Sequence, residues 1–205
     1  LKLLAVTDDR HSVCKLASMI IQIKDIVDFI HIREKSKTSA ELMSLLKLLE
    51  NGKVDMAKMV INDRLDIACD KNIPTVHLPG HGLPVKMVRA KFPYLRIGRS
   101  VHSFEEAREA KDDGADYVLY GHVFETNSKK GKPPRGTSEL TKIKKTLQIP
   151  VYAIGGITPA RIKEIHQTKA DGIAIMSGIF SADNPAAAAE RLLEICLGEK
   201  NEKNF

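Results

Sequence analysis

The chain is 205 residues long with 43% apolar and 28% charged positions, the balance of a folded globular protein and not of a disordered one. Its net charge of +6 leaves three readings open: a nucleic-acid surface, a site for anionic small molecules, or an ordinary solvated basic surface. Apolar runs reach about eight residues where a membrane helix needs about 20, and no basic stub with an apolar core opens the chain, so no membrane partner and a cytoplasmic location are expected.

In chain order, short β-branched runs alternate with amphipathic stretches. Strands are predicted over Leu3–Asp8 and Asp28–Arg33, followed by a helix at Ala40–Leu49. Further strands fall at Lys58–Asn62, Thr75–Leu78 and Leu95–Ser100. A helix over Phe104–Asp112 opens with a Ser103/Glu106 capping box and closes at Gly114. The sixth and seventh strands are Tyr117–His122 and Val151–Gly155, and Thr158-Pro159 then caps a helix over Pro159–His166. The eighth strand, Gly172–Ser177, leads through Asn184-Pro185 to a last helix over Pro185–Ile195. Val151–Ile154 and Ile173–Met176 are apolar on both faces, as buried parallel strands are. Eight βα units roughly 20 to 30 residues apart predict the α/β class and a closed (β/α)8 TIM barrel, with an open doubly wound sheet as the alternative. No linker or composition shift divides residues 1–205, which read as one domain.

Chemistry in such barrels gathers at the C-terminal strand ends. Alternation along strand two turns Phe29, His31, Arg33 and Lys35 toward the barrel axis. Buried positive charge needs a counter-charge, supplied either by a phosphate or carboxylate ligand or by a salt-bridged interior with Asp8 or Asp63. Gly155 and Gly156 after strand seven, and Met176-Ser177-Gly178 after strand eight, let backbone N–H groups approach an anion near helix N-termini; a glycine pair is also compatible with a plain tight turn. His122 closes strand six on the side of Tyr120, with Gly121 leaving room. An imidazole, the side chain whose ordinary titration falls near neutral pH, suits a proton shuttle, the alternative being a hydrogen-bonded structural histidine. The following loop, Thr126-Asn127-Ser128-Lys129 and on through Lys130, Lys132 and Arg135, reads as a solvated tether or as a lid over an anionic group.

The remaining histidines offer less: His77 and His102 lie near strand ends, His81 in a turn, and His11 and His166 at the surface. No spacing makes a metal triad. Cys14, Cys69 and Cys196 are odd in number and far apart, which suits reduced thiols and neither a disulfide framework nor a zinc set. Aromatics at 5% give no stacking platform, so no specific nucleic-acid partner is expected.

The segments Thr7-Asp8, Ile32–Lys35, Ile61–Arg64 with Asp66–Ala68, Ile97-Gly98 with Ser100 and His102, Gly114–Val118, Phe124–Thr126, Ile154–Ile157 and Ile175–Ser177 occur in order along nearly the whole chain. Together they resemble the thiamin phosphate synthase and TenI superfamily. The resemblance implies, for synthases, a magnesium ion held by two aspartates. Asp63 matches the first, but Gly82 in His77-Leu-Pro-Gly-His-Gly82 stands where the second belongs, and one carboxylate holds magnesium poorly. His31 replaces a glutamine of strand two. His122, in Gly121-His122-Val-Phe-Glu-Thr126, replaces the proline of the synthase pattern Gly-Pro-Ile-Phe-x-Thr, which is similar to the TenI-type thiazole tautomerase branch.

That branch implies aromatisation of a carboxylated dihydrothiazole ethyl phosphate, with a phosphorylated thiazole as ligand and neither a metal nor a redox cofactor required. His122 would be the general base and acid. Gly155, Gly156, Ser177 and Gly178, beside Met176, would bind the phosphate. Thr126, Asn127, Ser128 and Lys129 would hold the thiazole and its carboxylate, and Arg33 and Lys35 would add positive potential. Three alternatives stand beside this: thiamin phosphate synthase activity, a non-catalytic regulatory protein of the TenI type, and a barrel that binds a thiamin precursor without turnover. A regulator of DNA has no helix-turn-helix or recognition arm to use here. Apolar helix faces at Leu42–Leu49 and Ala186–Leu193 permit a homodimer.

Overall fold

Eight parallel strands close in sequence order in the computed structural model, which describes residues 1–198; residues 199–205 of the one-domain reading lie outside the described residues. The strands are β1 Lys2–Val6, β2 Phe29–Ile32, β3 Met59–Asn62, β4 Thr75–Leu78, β5 Arg96–Val101, β6 Tyr117–Gly121, β7 Val151–Ile154 and β8 Gly172–Ile175. The ring closes where Ala5 of β1 pairs with Ile30 of β2 on one side and Ile175 of β8 on the other. Between the strands run α1 Val13–Ile23, α2 Ser39–Asn51, α3 Leu65–Asp70, α4 Val85–Lys91, α5 Phe104–Asp112, α6 Thr137–Thr146 and α7 Ile162–Thr168, with α8 Ser177–Phe180 and α9 Pro185–Leu197 after β8. No helix among the described residues is long and apolar enough to cross a membrane.

The period of two along each strand sorts side chains into two cores. Ile30, Ile32, Val118, Tyr120, Ile173 and Ile175 point outward and pack against Leu16, Ile20, Leu45 and Leu49 of the helices. Leu4, Val6, Tyr117, Leu119, Tyr152 and Ala174 point inward and fill the barrel. Each such aliphatic side chain, fully buried, stabilises the fold by roughly 1.5–3 kcal/mol. The faces expected to permit a dimer are used here: Leu42, Leu45, Leu46, Leu49, Ala189 and Leu192 are buried within the chain. Among the described residues, the exposed large apolar side chains are instead Leu83, Met87, Tyr94 and Leu197.

Several local expectations change. Asp8, Arg33, His122, Gly155, Met176 and Ser177 fall just beyond their strands, because pairing stops where the chain turns into the loops at the barrel mouth. Tyr120 and His122 do not share a side. Tyr120 faces outward and donates to Glu139 Oε2 on α6 at 3.0 Å, while the chain leaves the strand at Gly121. Burial and that carboxylate raise the Tyr120 phenol pKa. Ser103 accepts from Glu106 N at 3.1 Å, but Glu106 accepts from His102 N at 2.7 Å, so the reciprocal half of the box is displaced by one residue. A full capping box is found at Thr38 and Glu41 on α2. Thr158 makes no side-chain cap, and a 3-10 turn over Pro159–Arg161 precedes α7. Asn184 does cap α9, accepting from Ala187 N at 3.1 Å.

Candidate active site

One open cavity lies over the C-terminal strand ends. Arg33, Lys35, His122, Thr126, Asn127, Ser128, Lys129, Gly155, Gly156, Met176, Ser177 and Gly178 all line it. In the closed strand order β2 and β6 stand opposite one another, so Arg33 and Lys35 rise across the mouth from His122.

Beneath it lies a layer of inward-facing polar side chains. His31 Nε2 donates to Asn62 Oδ1 at 3.3 Å, and the His31 and His77 ring centroids are 4.7 Å apart. His77 bridges the Tyr117 hydroxyl, 3.2 Å from Nδ1, and Ser100 Oγ, 2.7 Å from Nε2. Burial pushes the His31 pKa down to about 4; the Asn62 bond opposes the shift and the Arg33 charge adds to it. His77 is lowered by burial and by the neighbouring His31 and Arg99. Both rings are therefore neutral at pH 7, which corrects the expectation of three consecutive inward charges on strand two. Arg33 is half-buried and Lys35 exposed, and neither is salt-bridged to Asp8 or Asp63. Arg33 N instead donates to Thr7 Oγ1 at 2.8 Å, joining the ends of β1 and β2.

The loops after β7 and β8 form the anion-facing wall. Gly155 and Gly156 have φ of 99° and 66°, which side-chain-bearing residues rarely adopt. An ideal Cβ on Gly156 would lie 2.3 Å from Glu125 O, and one on Gly155 would lie 2.4 Å from His122 Cβ. These glycines thus let the chain after β6 lie directly on the chain after β7. Among the described residues, the N–H groups of Gly155, Gly156, Ser177 and Gly178 have no protein acceptor. The helices behind them are not immediate on one side and only four residues long on the other, so free N–H groups and charge, more than a helix dipole, make this wall attractive to an anion. Arg161 adds a cation, donating to Gly156 O at 3.0 Å.

His122 is buried, at 8% exposure, and its Nε2 lies 3.2 Å from Lys132 O. A carbonyl only accepts, so Nε2 carries the hydrogen and the neutral ring keeps its lone pair on Nδ1. The loop expected as tether or lid contains a 3-10 turn over Asn127–Lys129, with Thr126 Oγ1 accepting from Ser128 N at 3.4 Å.

Other lining residues were not singled out from the sequence as site residues: Asp8, Asn62, Ser100, Lys132, Arg135 and Arg161. Strand alternation carried a signal for Asn62 and Ser100. Asp8 Oδ1 is buried without a hydrogen-bond partner, while Ser181 Oγ donates to Oδ2 at 3.1 Å. His77 is the penultimate residue of β4 and His102 follows the end of β5, and both line the cavity. His11 and His166 are half-buried, bonded to the carbonyls of Phe180 and Ile195 at 2.8 and 3.2 Å, and are not free surface residues.

A family model described as thiamine monophosphate synthase matches residues 3–179. The chain belongs to the thiamine monophosphate synthase/TenI family. A thiamine-phosphate synthase of Pyrococcus horikoshii is 34% identical, with 97% of each chain covered. One of Natronomonas pharaonis is 32% identical over 94% of each. The solved thiamine phosphate pyrophosphorylase of Pyrococcus furiosus superposes with a TM-score of 0.80 at 31% identity, covering 97% of this chain and 98% of that one. The magnesium that the resemblance implies for synthases calls for two carboxylates, and position 82 is where the present chain departs. An ideal Cβ on Gly82 would fall 2.9 Å from Asp63 Oδ1, so positions 63 and 82 face each other and only one bears a carboxylate. The residues present do not fit the ion.

Proposed function

We propose that this chain is a thiazole tautomerase of the family, acting in the cytoplasm on a carboxylated dihydrothiazole ethyl phosphate and yielding the aromatic carboxythiazole ethyl phosphate. The observation that carries the reading is the seating of His122 against Gly155, within the contact distance of a single side-chain carbon, so that a titratable imidazole and four free N–H groups share one wall. The N–H groups of Gly155, Gly156, Ser177 and Gly178 and the Ser177 hydroxyl bind the phosphate beside Met176, with Arg161 supplying positive charge. Thr126, Asn127, Ser128 and Lys129 hold the ring, while Arg33 and Lys35 favour an anionic ligand from across the mouth.

Nδ1 of His122 takes the proton from the ring carbon that bears the carboxylate. The released pair forms a double bond to the ring nitrogen, the adjacent imine pair moves into the ring, and the exocyclic double-bond pair reaches the ethylidene carbon. That carbon receives the proton, so the reaction is an isomerisation without net gain or loss. Hydrogen-bond donors at the carboxylate stabilise charge that builds during deprotonation. An absorbance time course with the dihydrothiazole substrate tests this reading: aromatisation by the wild type and its loss in His122→Asn are expected. A wild-type rate equal to the uncatalysed rate overturns it.

The names of the relatives favour a second reading, synthase activity joining a pyrimidine pyrophosphate to a thiazole phosphate. Magnesium-dependent pyrophosphate release from those two substrates would support it; the glycine opposite Asp63 argues against it.

A further inference from the structure

We infer that the segment from Lys132 to Arg135 is a clasp that fixes the tautomer and position of His122, with Arg135 as the positioning residue that fastens it. The inference rests on the catalytic role proposed for His122, but its geometry stands apart from any substrate. His122 is held at both ends by this one short segment: its ring Nε2–H donates to Lys132 O at 3.2 Å, and its own carbonyl accepts from Arg135 N at 3.0 Å. Gly136 N donates to Val123 O at 3.0 Å, so the next residue repeats the attachment. The Arg135 guanidinium reaches in the other direction and donates to His102 O at 2.6 Å, tying the segment to the end of β5.

The residues between the two contacts make the spacing stiff. Pro133 and Pro134 have fixed φ, and Lys132 and Pro133 each precede a proline, which confines them to extended conformations. Neither proline has an N–H that could compete for these acceptors. A carbonyl and an N–H are thus presented to His122 at a set separation. The carbonyl selects the Nε2–H tautomer and leaves Nδ1 as the basic atom. When Nδ1 takes a proton, the Nε2–H bond becomes charge-assisted and strengthens, which favours the imidazolium at the moment it forms. An orienting partner on the far ring nitrogen is a general device for a catalytic histidine; in this chain it is a main-chain carbonyl of the basic loop.

Nitrogen-15 NMR of the His122 ring reads the tautomer directly and needs no substrate. The wild type is expected to show Nε2 protonated and Nδ1 unprotonated. In Pro133→Gly/Pro134→Gly and in Arg135→Ala the two tautomers are expected to mix, kcat to fall about 5- to 10-fold and KM to change little, the scale of one hydrogen bond. Arg135→Lys, which can still reach His102 O, is expected to restore most of both. A wild-type Nδ1–H tautomer, or a tautomer unmoved in both loosened variants, overturns the clasp. A correct tautomer that mixes in those variants, in a protein that leaves the dihydrothiazole untouched, keeps the clasp and removes the tautomerase. Because Arg135 is exposed, its alanine variant keeps the test decisive if the double glycine variant fails to fold.

Discussion

At the N-terminal end of the barrel interior, the Arg96 guanidinium lies over the Phe29 and Tyr117 rings at 5.1 and 5.2 Å, and Tyr117 meets Tyr152 edge-on with centroids 5.6 Å apart. At the C-terminal end, four N–H groups and Asp8 Oδ1 have no hydrogen-bond partner among the described residues, His11 Nε2 approaching Asp8 Oδ1 only to 3.6 Å. Both ends draw on the same inward-facing alternation, and both contain polar and charged groups. The floor satisfies its cation with aromatic faces and has little left to recruit, whereas the mouth leaves donors unpaired and adds Arg161, Arg33 and Lys35. Polarity inside a barrel therefore marks a site only where it is unsatisfied. Substitutions at the floor should move stability and those at the mouth should move turnover.

The sharpest separation is expected at His122. His122→Asn should lower turnover of the dihydrothiazole by roughly 10²–10⁴-fold, the range for losing a general base. The unfolding free energy should shift by no more than ~1 kcal/mol, the scale of the lost bond to Lys132. Paired turnover and urea-unfolding measurements check this; a variant that loses stability and activity in proportion would break the contrast.

Between the two ends, the His31–His77 layer belongs to both. His31 titrates at its ordinary 6.5 when unfolded and is pushed down to about 4 when folded, so in that window the unfolded chain binds the extra proton. Its contribution is complete above pH 6.5 and is lost as pH falls toward 4, by up to ~3 kcal/mol. His77 shifts in the same direction. The wild type should therefore lose more urea stability from pH 7 to pH 5 than His31→Gln does. Equal losses would mean that the His31 ring is solvated and belongs to the mouth alone.

The eight strands were legible in order because each is a short apolar run beside a helix signal, and the glycine loops were legible because the absence of a side chain is itself a feature of sequence. The ends of the strands were not. Alternation continues through Arg33 and His122, but backbone pairing stops before them, and no residue type announces that loss. Tyr120 shows the same limit in another form: alternation from Tyr117 and Leu119 turns it outward to Glu139 on α6, and the end of the strand at Gly121, which no residue type announces, parts it from His122. Lys132 was legible only as a cation of the basic loop; its contact to His122 is made through its carbonyl, which any residue possesses. Arg161 was hidden by distance along the chain, five residues beyond the glycine whose carbonyl it binds.

A substitution that touches only the floor should do the reverse of His122→Asn. An ideal Cβ on Gly98 would lie 2.0 Å from Tyr117 Cζ, inside the ring that also holds His77. Gly98→Ala must displace that ring, and overpacking of this kind costs about 1–3 kcal/mol. The unfolding midpoint should fall accordingly, while the folded fraction should keep its KM for the dihydrothiazole. A raised KM at unchanged stability would place Gly98 functionally with the mouth.

The smallest expected effect is at the Ser177 hydroxyl. Ser177 is exposed and its N–H, like that of Gly178, belongs to the main chain, so Ser177→Ala removes one of the phosphate contacts we propose and leaves the N–H groups in place. One hydrogen bond of ~1 kcal/mol corresponds to about a fivefold higher KM, with kcat nearly unchanged because the phosphate is held alike before and during proton transfer. Stability should not move, since the hydroxyl makes no hydrogen bond within the described residues. Inorganic phosphate gives the same reading without substrate: its dissociation constant by titration calorimetry should rise by the same factor. A fall in kcat instead of a rise in KM would mean that this end of the mouth takes part in the proton transfer and that binding and chemistry are not divided between the two loops as the free N–H groups suggest.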